Sequence, residues 1–170
     1  GMMEYLAGPS STVYGAKRAS QGHPAPYITT LKKVYVEVGN ETWNDIFYPS
    51  NFDNLNGPLY GKFAQYFFNI IKSSPYYDST KFEFIVGGFY PQPEETGYGI
   101  TAKKFMPDGK QVMIANYIGG FDALKIPASA TFADSVQQTA FYARWITRNI
   151  IDLHVKNRNK MAALGYPYKL

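Results

Sequence analysis

Val34-Tyr35-Val36-Glu37-Val38-Gly39-Asn40-Glu41-Thr42-Trp43-Asn44 is the stretch on which the reading of the fold turns. Its β-branched run is bounded by turn-forming residues and reads as a strand from Val34 to Gly39. Side chains alternate along a strand, so Val34, Val36 and Val38 share one face while Tyr35, Glu37, Gly39 and then Glu41 share the other. The valine face suits packing against helices; the opposite face carries two carboxylates.

Downstream, Asn40 to Pro58 is irregular. Leu59, Phe63, Tyr66, Phe67, Ile70 and Ile71 then recur at helical spacing until Ser73-Ser74-Pro75, and they are expected to form the packing stripe of a helix. Phe82 to Gly88 reads as a second strand and Gln111 to Ile118 as a third, each ending in or followed by a Gly pair. Asp134 is placed to cap a long helix that runs to about Leu164, with Phe141, Trp145 and Ile146 as packing residues and Gly165 and Pro167 as its stop.

Upstream, residues 2 to 7 read as the tail of a helix stopped by Gly8 and Pro9, and the next twenty residues as a loop. Alternating apolar strands and helices imply an α/β class with a parallel sheet. Two architectures remain. One is a partial (β/α)8 barrel, since a complete barrel takes roughly 250 residues; the other is a small open flavodoxin-like sheet. No repeat or linker divides the chain, so residues 1–170 are expected to be a single α/β domain, with both ends looking cut from something larger.

The chain has 170 residues, of which 45% are hydrophobic and 18% charged, and it carries no cysteine. That composition excludes disorder, collagen-like repeats and a disulfide scaffold. No apolar run approaches the ~20 residues of a membrane span. The net charge of +4 is scattered apart from Arg144, Arg148, Lys156, Arg158 and Lys160, which lie toward the C-terminal end of the expected long helix, where cations offset the helix dipole. No nucleic-acid motif accompanies them, so neither nucleic acid nor membrane is expected as a partner. Aromatic residues make up 17% of the chain, led by 15 Tyr, a composition that suits a wet cleft and stacking on sugar rings.

In a parallel α/β sheet ligands bind at the C-terminal strand ends, which is where Asn40 and Glu41 fall. The segment resembles the fourth-strand motif of the clan A glycoside hydrolases, retaining (β/α)8 enzymes that include the α-L-arabinofuranosidases. Glu4-Tyr5-Leu6-Ala7-Gly8-Pro9, Tyr14-Gly15-Ala16-Lys17-Arg18-Ala19 and Gly22-His23-Pro24 look like the helix end and loop that precede that strand. The resemblance implies hydrolysis of O-glycosidic bonds in an oligosaccharide or polysaccharide, with Glu41 as general acid/base and Asn40 on the sugar 2-hydroxyl. It implies strands 4 to 6 of the barrel, with Tyr168-Lys169-Leu170 opening strand 7 and the nucleophilic Glu just past it. It also implies a secreted or periplasmic full-length protein. The chemistry needs a second carboxylate about 5 Å from the acid to attack the sugar.

Each candidate has a plainer reading. Glu41 also reads as a solvated acid starting a loop, Asn40 as a residue tolerating a left-handed turn, and Trp43 as core rather than a wall of the sugar site. Tyr117, near the end of the third strand, reads either as core or as a substrate-contacting aromatic. Glu37 is expected to be a structural carboxylate bonded inside the fold, and Glu94 with Glu95 a solvated loop tip. His23 and His154 have no acid cluster at metal-ligand spacing, so no metal or other cofactor is expected. Gly-x-Ser-x-Gly and phosphate-binding glycine patterns are absent. A non-catalytic carbohydrate-binding or structural domain is the competing function. Open sheet edges predict a homo-oligomer.

Overall fold

Phe82-Glu83-Phe84-Ile85-Val86-Gly87-Gly88 alternates large apolar side chains on one face and forms the central strand, β2 (Phe82–Gly88), of a three-stranded sheet with order β1-β2-β3. The computed structural model describes residues 1–44, 56–89, 97–114 and 131–165. β1 (Val34–Val36) runs parallel to β2 with Val34 opposite Phe82 and Val36 opposite Phe84. β3 (Gly109–Ile114) is also parallel, from Gly109 beside Phe84 to Ile114 beside Gly88, with a register shift at Phe84/Ile85. All three carboxyl ends therefore emerge on one side. The α/β class is as expected, and the open parallel sheet fits both the barrel segment and the flavodoxin-like alternative.

The strand bounds differ from the sequence reading. Ladder pairing of the first strand stops at Val36, although Val38 still packs against the core. The third strand starts at Gly109, two residues earlier than expected, because Gly109 passes so close to Val86 that a side chain there would collide with it. The expected end of that strand, residues 115–118, lies outside the described residues, as do Glu94, Glu95 and the stub Tyr168-Lys169-Leu170.

The helix α3 (Gly57–Lys72) starts at Asn56, whose side chain accepts a hydrogen bond from the Leu59 N–H at 3.0 Å. It packs on the sheet through Tyr60, Ala64, Phe68 and Ile71, with the Phe68 ring stacked on Phe84 at 4.3 Å. This corrects the expected stripe. Of its members only Ile71 is buried, while Leu59, Phe63, Tyr66, Phe67 and Ile70 are 39–63% exposed. Small residues decide the face: Gly57 and Gly61 lie directly against the backbone of α4 (Tyr98–Lys103), a closeness that bulky side chains would prevent. Tyr98, Ile100, Ala102, Met106 and Val112 complete the core.

At the N-terminus α1 (Met2–Ala7) is as expected, but the loop after it is not. It contains a second helix, α2 (Val13–Ser20), and a 3-10 turn, Tyr27–Thr29. Thr12 caps α2 by accepting from the Gly15 N–H at 3.2 Å, and Gly15 has no room for a side chain beside the Pro9 carbonyl. Composition suggested loop; capping and two buried residues, Gly15 and Arg18, make it helix.

Asp134 caps the last helix as expected, its carboxylate accepting from the Gln137 N–H at 2.8 Å. That helix is broken into α5 (Ser135–Ile146), a π turn (Thr147–Ile151) and α6 (Asp152–Ala163). Phe132 folds back on Phe141 and Tyr142, leaving Phe141 and Trp145 half-buried; the Ile146 side chain lies outside the described residues. No helix among the described residues is long and apolar enough to cross a membrane.

Candidate functional site

Beyond β1 the chain leaves the sheet through Glu37 and Val38 and turns at Gly39, whose φ is +81°. Glu41 follows with φ of +44°, the left-handed region that costs a non-glycine residue about 1 kcal/mol or more. Asn44 holds it there. Its backbone N–H donates to the Glu41 carbonyl at 2.7 Å, and its side-chain amide donates to Glu41 Oε2 at 3.0 Å. The left-handed residue of this turn is therefore Glu41, and Asn40 has no positive φ.

Glu37, Asn40, Glu41, Thr42, Trp43, Gly87, Gly88 and Met113 line one cavity of about 220 Å³ at the carboxyl ends of the three strands. The structure thus brings together Asn40, Glu41 and Trp43 of the expected site. Trp43 does both things the sequence left open: its ring lies 4.2 Å from Phe89 and against the core, and it also walls the cavity. Tyr117 lies outside the described residues.

Under the cavity sits a buried polar layer that sequence reasoning missed. The Tyr98 hydroxyl donates to Thr42 Oγ1 at 2.8 Å, and the Tyr60 hydroxyl accepts from the Gly87 N–H at 3.1 Å. The two phenol rings stack at 5.4 Å. Burial raises both phenols above the ordinary tyrosine value, so they act as neutral hydrogen-bonding groups. Tyr60 comes from the first turn of α3 and Tyr98 from the start of a short helix, positions where a tyrosine reads as core. The Gly87-Gly88 pair was the available signal: the Tyr60 hydroxyl lies 3.0 Å from where a Cβ at 87 would be.

Glu37 corrects another expectation, that it is bonded inside the fold. Among the described residues its carboxylate has no hydrogen-bond or ion-pair partner. The residue as a whole keeps solvent access, but its carboxyl is crowded by protein, and this desolvation pushes its pKa up to about 6. Its Oε1 occupies the space that a Cβ at Gly87 would need. The described residues bring together no set of three or more His, Asp or Glu side chains able to hold a metal ion.

Residues 1–104 match the family described as the alpha-L-arabinofuranosidase 1 domain. No curated protein and no solved structure gives a significant match. The matched span runs from α1 to α4 and includes every cavity-lining residue named above except Met113. With 104 of the 170 residues matched, the chain belongs to the alpha-L-arabinofuranosidase 1 domain family, a glycoside hydrolase-related family.

Proposed function

We propose that this chain carries the acid/base side of a retaining glycoside hydrolase active site, with Glu41 protonating the departing glycosidic oxygen and later activating water. Asn40 holds the hydroxyl next to the reacting carbon, Trp43 gives the sugar an apolar wall, and the attacking carboxylate comes from another strand end. The open sheet is, in this reading, an arc of a (β/α)8 barrel spanning strands 4 to 6. The observation that carries it is the cavity at the carboxyl ends of parallel strands, lined by Asn40, Glu41 and Trp43. The left-handed backbone at Glu41 adds support, because such strain persists where the surroundings fix one side chain for a task.

The substrate is an oligosaccharide or polysaccharide bearing α-L-arabinofuranosyl units, and pairing of the open strand edges makes the protein an oligomer by light scattering. The test takes a longer protein that also carries the strand end with the attacking carboxylate, and compares it with its Glu41→Gln variant on two substrates. With an arabino-oligosaccharide, whose leaving group must be protonated, kcat/KM should fall by about 10²–10⁴-fold. With a 4-nitrophenyl arabinofuranoside, whose leaving group departs unaided, the first step should fall far less. Equal turnover of the oligosaccharide by both proteins removes Glu41 from the reaction; binding without turnover by the longer protein with Glu41 intact makes the chain a carbohydrate-binding domain.

A further inference from the structure

Two carboxylates of the sheet provide an internal comparison. Glu83, on β2 opposite Tyr35, is held by Lys33 at 3.8 Å and by the Gln111 amide at 3.0 Å, as expected of an acid that serves the fold. Glu37 lies farther toward the carboxyl ends, lines the cavity with Asn40 and Glu41, and has no such partner among the described residues. The polar groups beneath the cavity are already engaged, Tyr60 with the Gly87 N–H and Tyr98 with Thr42. Gly87 leaves open the volume that the Glu37 carboxyl fills. Glu37 is exposed, so water donates to its carboxylate when no ligand is bound, and a sugar hydroxyl entering the cavity can take that water's place.

We propose that Glu37 is a substrate-contacting residue of this cavity, its carboxylate accepting a hydrogen bond from a hydroxyl of the bound sugar. The inference rests on the reading of the cavity as a sugar site. It assigns Glu37 to recognition and leaves the proton transfer with Glu41. An ionised carboxylate accepts a stronger, charge-assisted hydrogen bond than the protonated carboxyl does, so sugar affinity falls as pH drops through about 6. The groups that face Glu37 are Glu41 from its own segment, Tyr60 from α3, Tyr98 from α4 and the amino end at Gly1, which shares a neighbouring groove with it. The two phenols stay neutral throughout this range, so Glu41 and the amino end are the groups whose contribution must be separated. Comparison with Glu37→Gln does this, because both remain in the variant.

The probe is methyl α-L-arabinofuranoside, followed by calorimetry and by the indole signal of Trp43. Unaltered protein should bind about tenfold tighter than Glu37→Gln at pH 7, equivalent to about 1.4 kcal/mol. The variant should lose the fall in affinity between pH 7 and pH 5. A second measurement needs no substitution: ¹³C NMR of the Glu37 carboxyl should show a pKa that drops when the sugar is added. Binding at Trp43 with the same affinity and pH dependence in both proteins, and an unmoved Glu37 titration, overturns the assignment of Glu37 while leaving Glu41 untouched. No response to the sugar in either protein overturns the sugar site itself, and the role of Glu37 with it.

Discussion

Arg18 and Glu37 are charged side chains on either side of the same short approach to the sheet, and the fold treats them in opposite ways. Arg18 is fully buried and saturated. Its Nε donates to the His23 carbonyl at 2.9 Å, Nη1 to Tyr5 at 2.7 Å and Glu4 at 3.3 Å, and Nη2 to Gly8 at 2.9 Å and Pro24 at 3.1 Å. A guanidinium has five N–H donors, and these bonds account for five. Several of the acceptors belong to the last turn of α1 and the residue after it, where the helix dipole favours a cation. Glu37 is exposed, and among the described residues no protein group bonds its carboxylate. A charge whose hydrogen bonds are completed by the chain holds structure; one whose bonds are left open has capacity for something that arrives.

The hardest test of that contrast is Arg18→Met, which keeps an apolar stem but takes the Arg18 donor from five carbonyls, of which Glu4 keeps the Gly8 N–H. Removing one side of a buried charged network costs about 3–5 kcal/mol. Urea unfolding should show a loss of this size, and Arg18→Lys should recover little of it, since an ammonium cannot reach acceptors spread across a planar fork. A loss below about 1 kcal/mol would mean that the first thirty residues are held by something else, and Arg18 would cease to be a standard against which Glu37 is judged.

The second test moves to the polar layer at the cavity. Thr42→Val keeps the shape of the side chain and deletes the acceptor of the Tyr98 hydroxyl, a buried bond of 2.8 Å. The expected cost is about 1–3 kcal/mol in unfolding free energy. Because Thr42 follows Glu41 directly and lines the same cavity, sugar binding should weaken as well, whereas Arg18→Met acts on binding only through the folded fraction. A Thr42→Val protein of unchanged stability would show that the polar layer is not what steadies the turn.

What the sequence made legible follows the same division. Strand alternation placed Val34, Val36 and Glu37 correctly, and the Gly-Asn-Glu ending brought Asn40, Glu41 and Trp43 to one cavity, because these are properties of a few consecutive residues. Non-local relations were not legible. The α3 stripe was misjudged because that helix is apolar on two sides, and only the backbone approach of Gly57 and Gly61 to α4 tells which side faces in. The α2 helix was hidden because a Ser- and Gly-rich composition reads as loop, while its reason for folding, Arg18 reaching carbonyls at residues 4, 5, 8, 23 and 24, spans 20 positions. The freedom of Glu37 was invisible for a related reason: on a strand every inward carboxylate looks alike until its neighbours are known.

The smallest effect is the sharpest. The folded protein holds the Glu37 proton with a pKa of about 6, against an ordinary value of 4.5. The native state therefore binds more protons than the unfolded state in that window, so this group's contribution to stability is fully present below about pH 4.5 and is lost as pH rises through about 6. Glu37→Gln removes the titration. Its melting temperature should match the unaltered protein at pH 4 and exceed it at pH 7, by only about 1–2 °C given the solvent access of the residue. A carboxylate bonded by the fold behaves in the opposite sense, with a lowered pKa and a variant that melts earlier at pH 7. The sign of that small difference thus separates a residue kept for the chain from a residue kept for a ligand, and it does so with no sugar present.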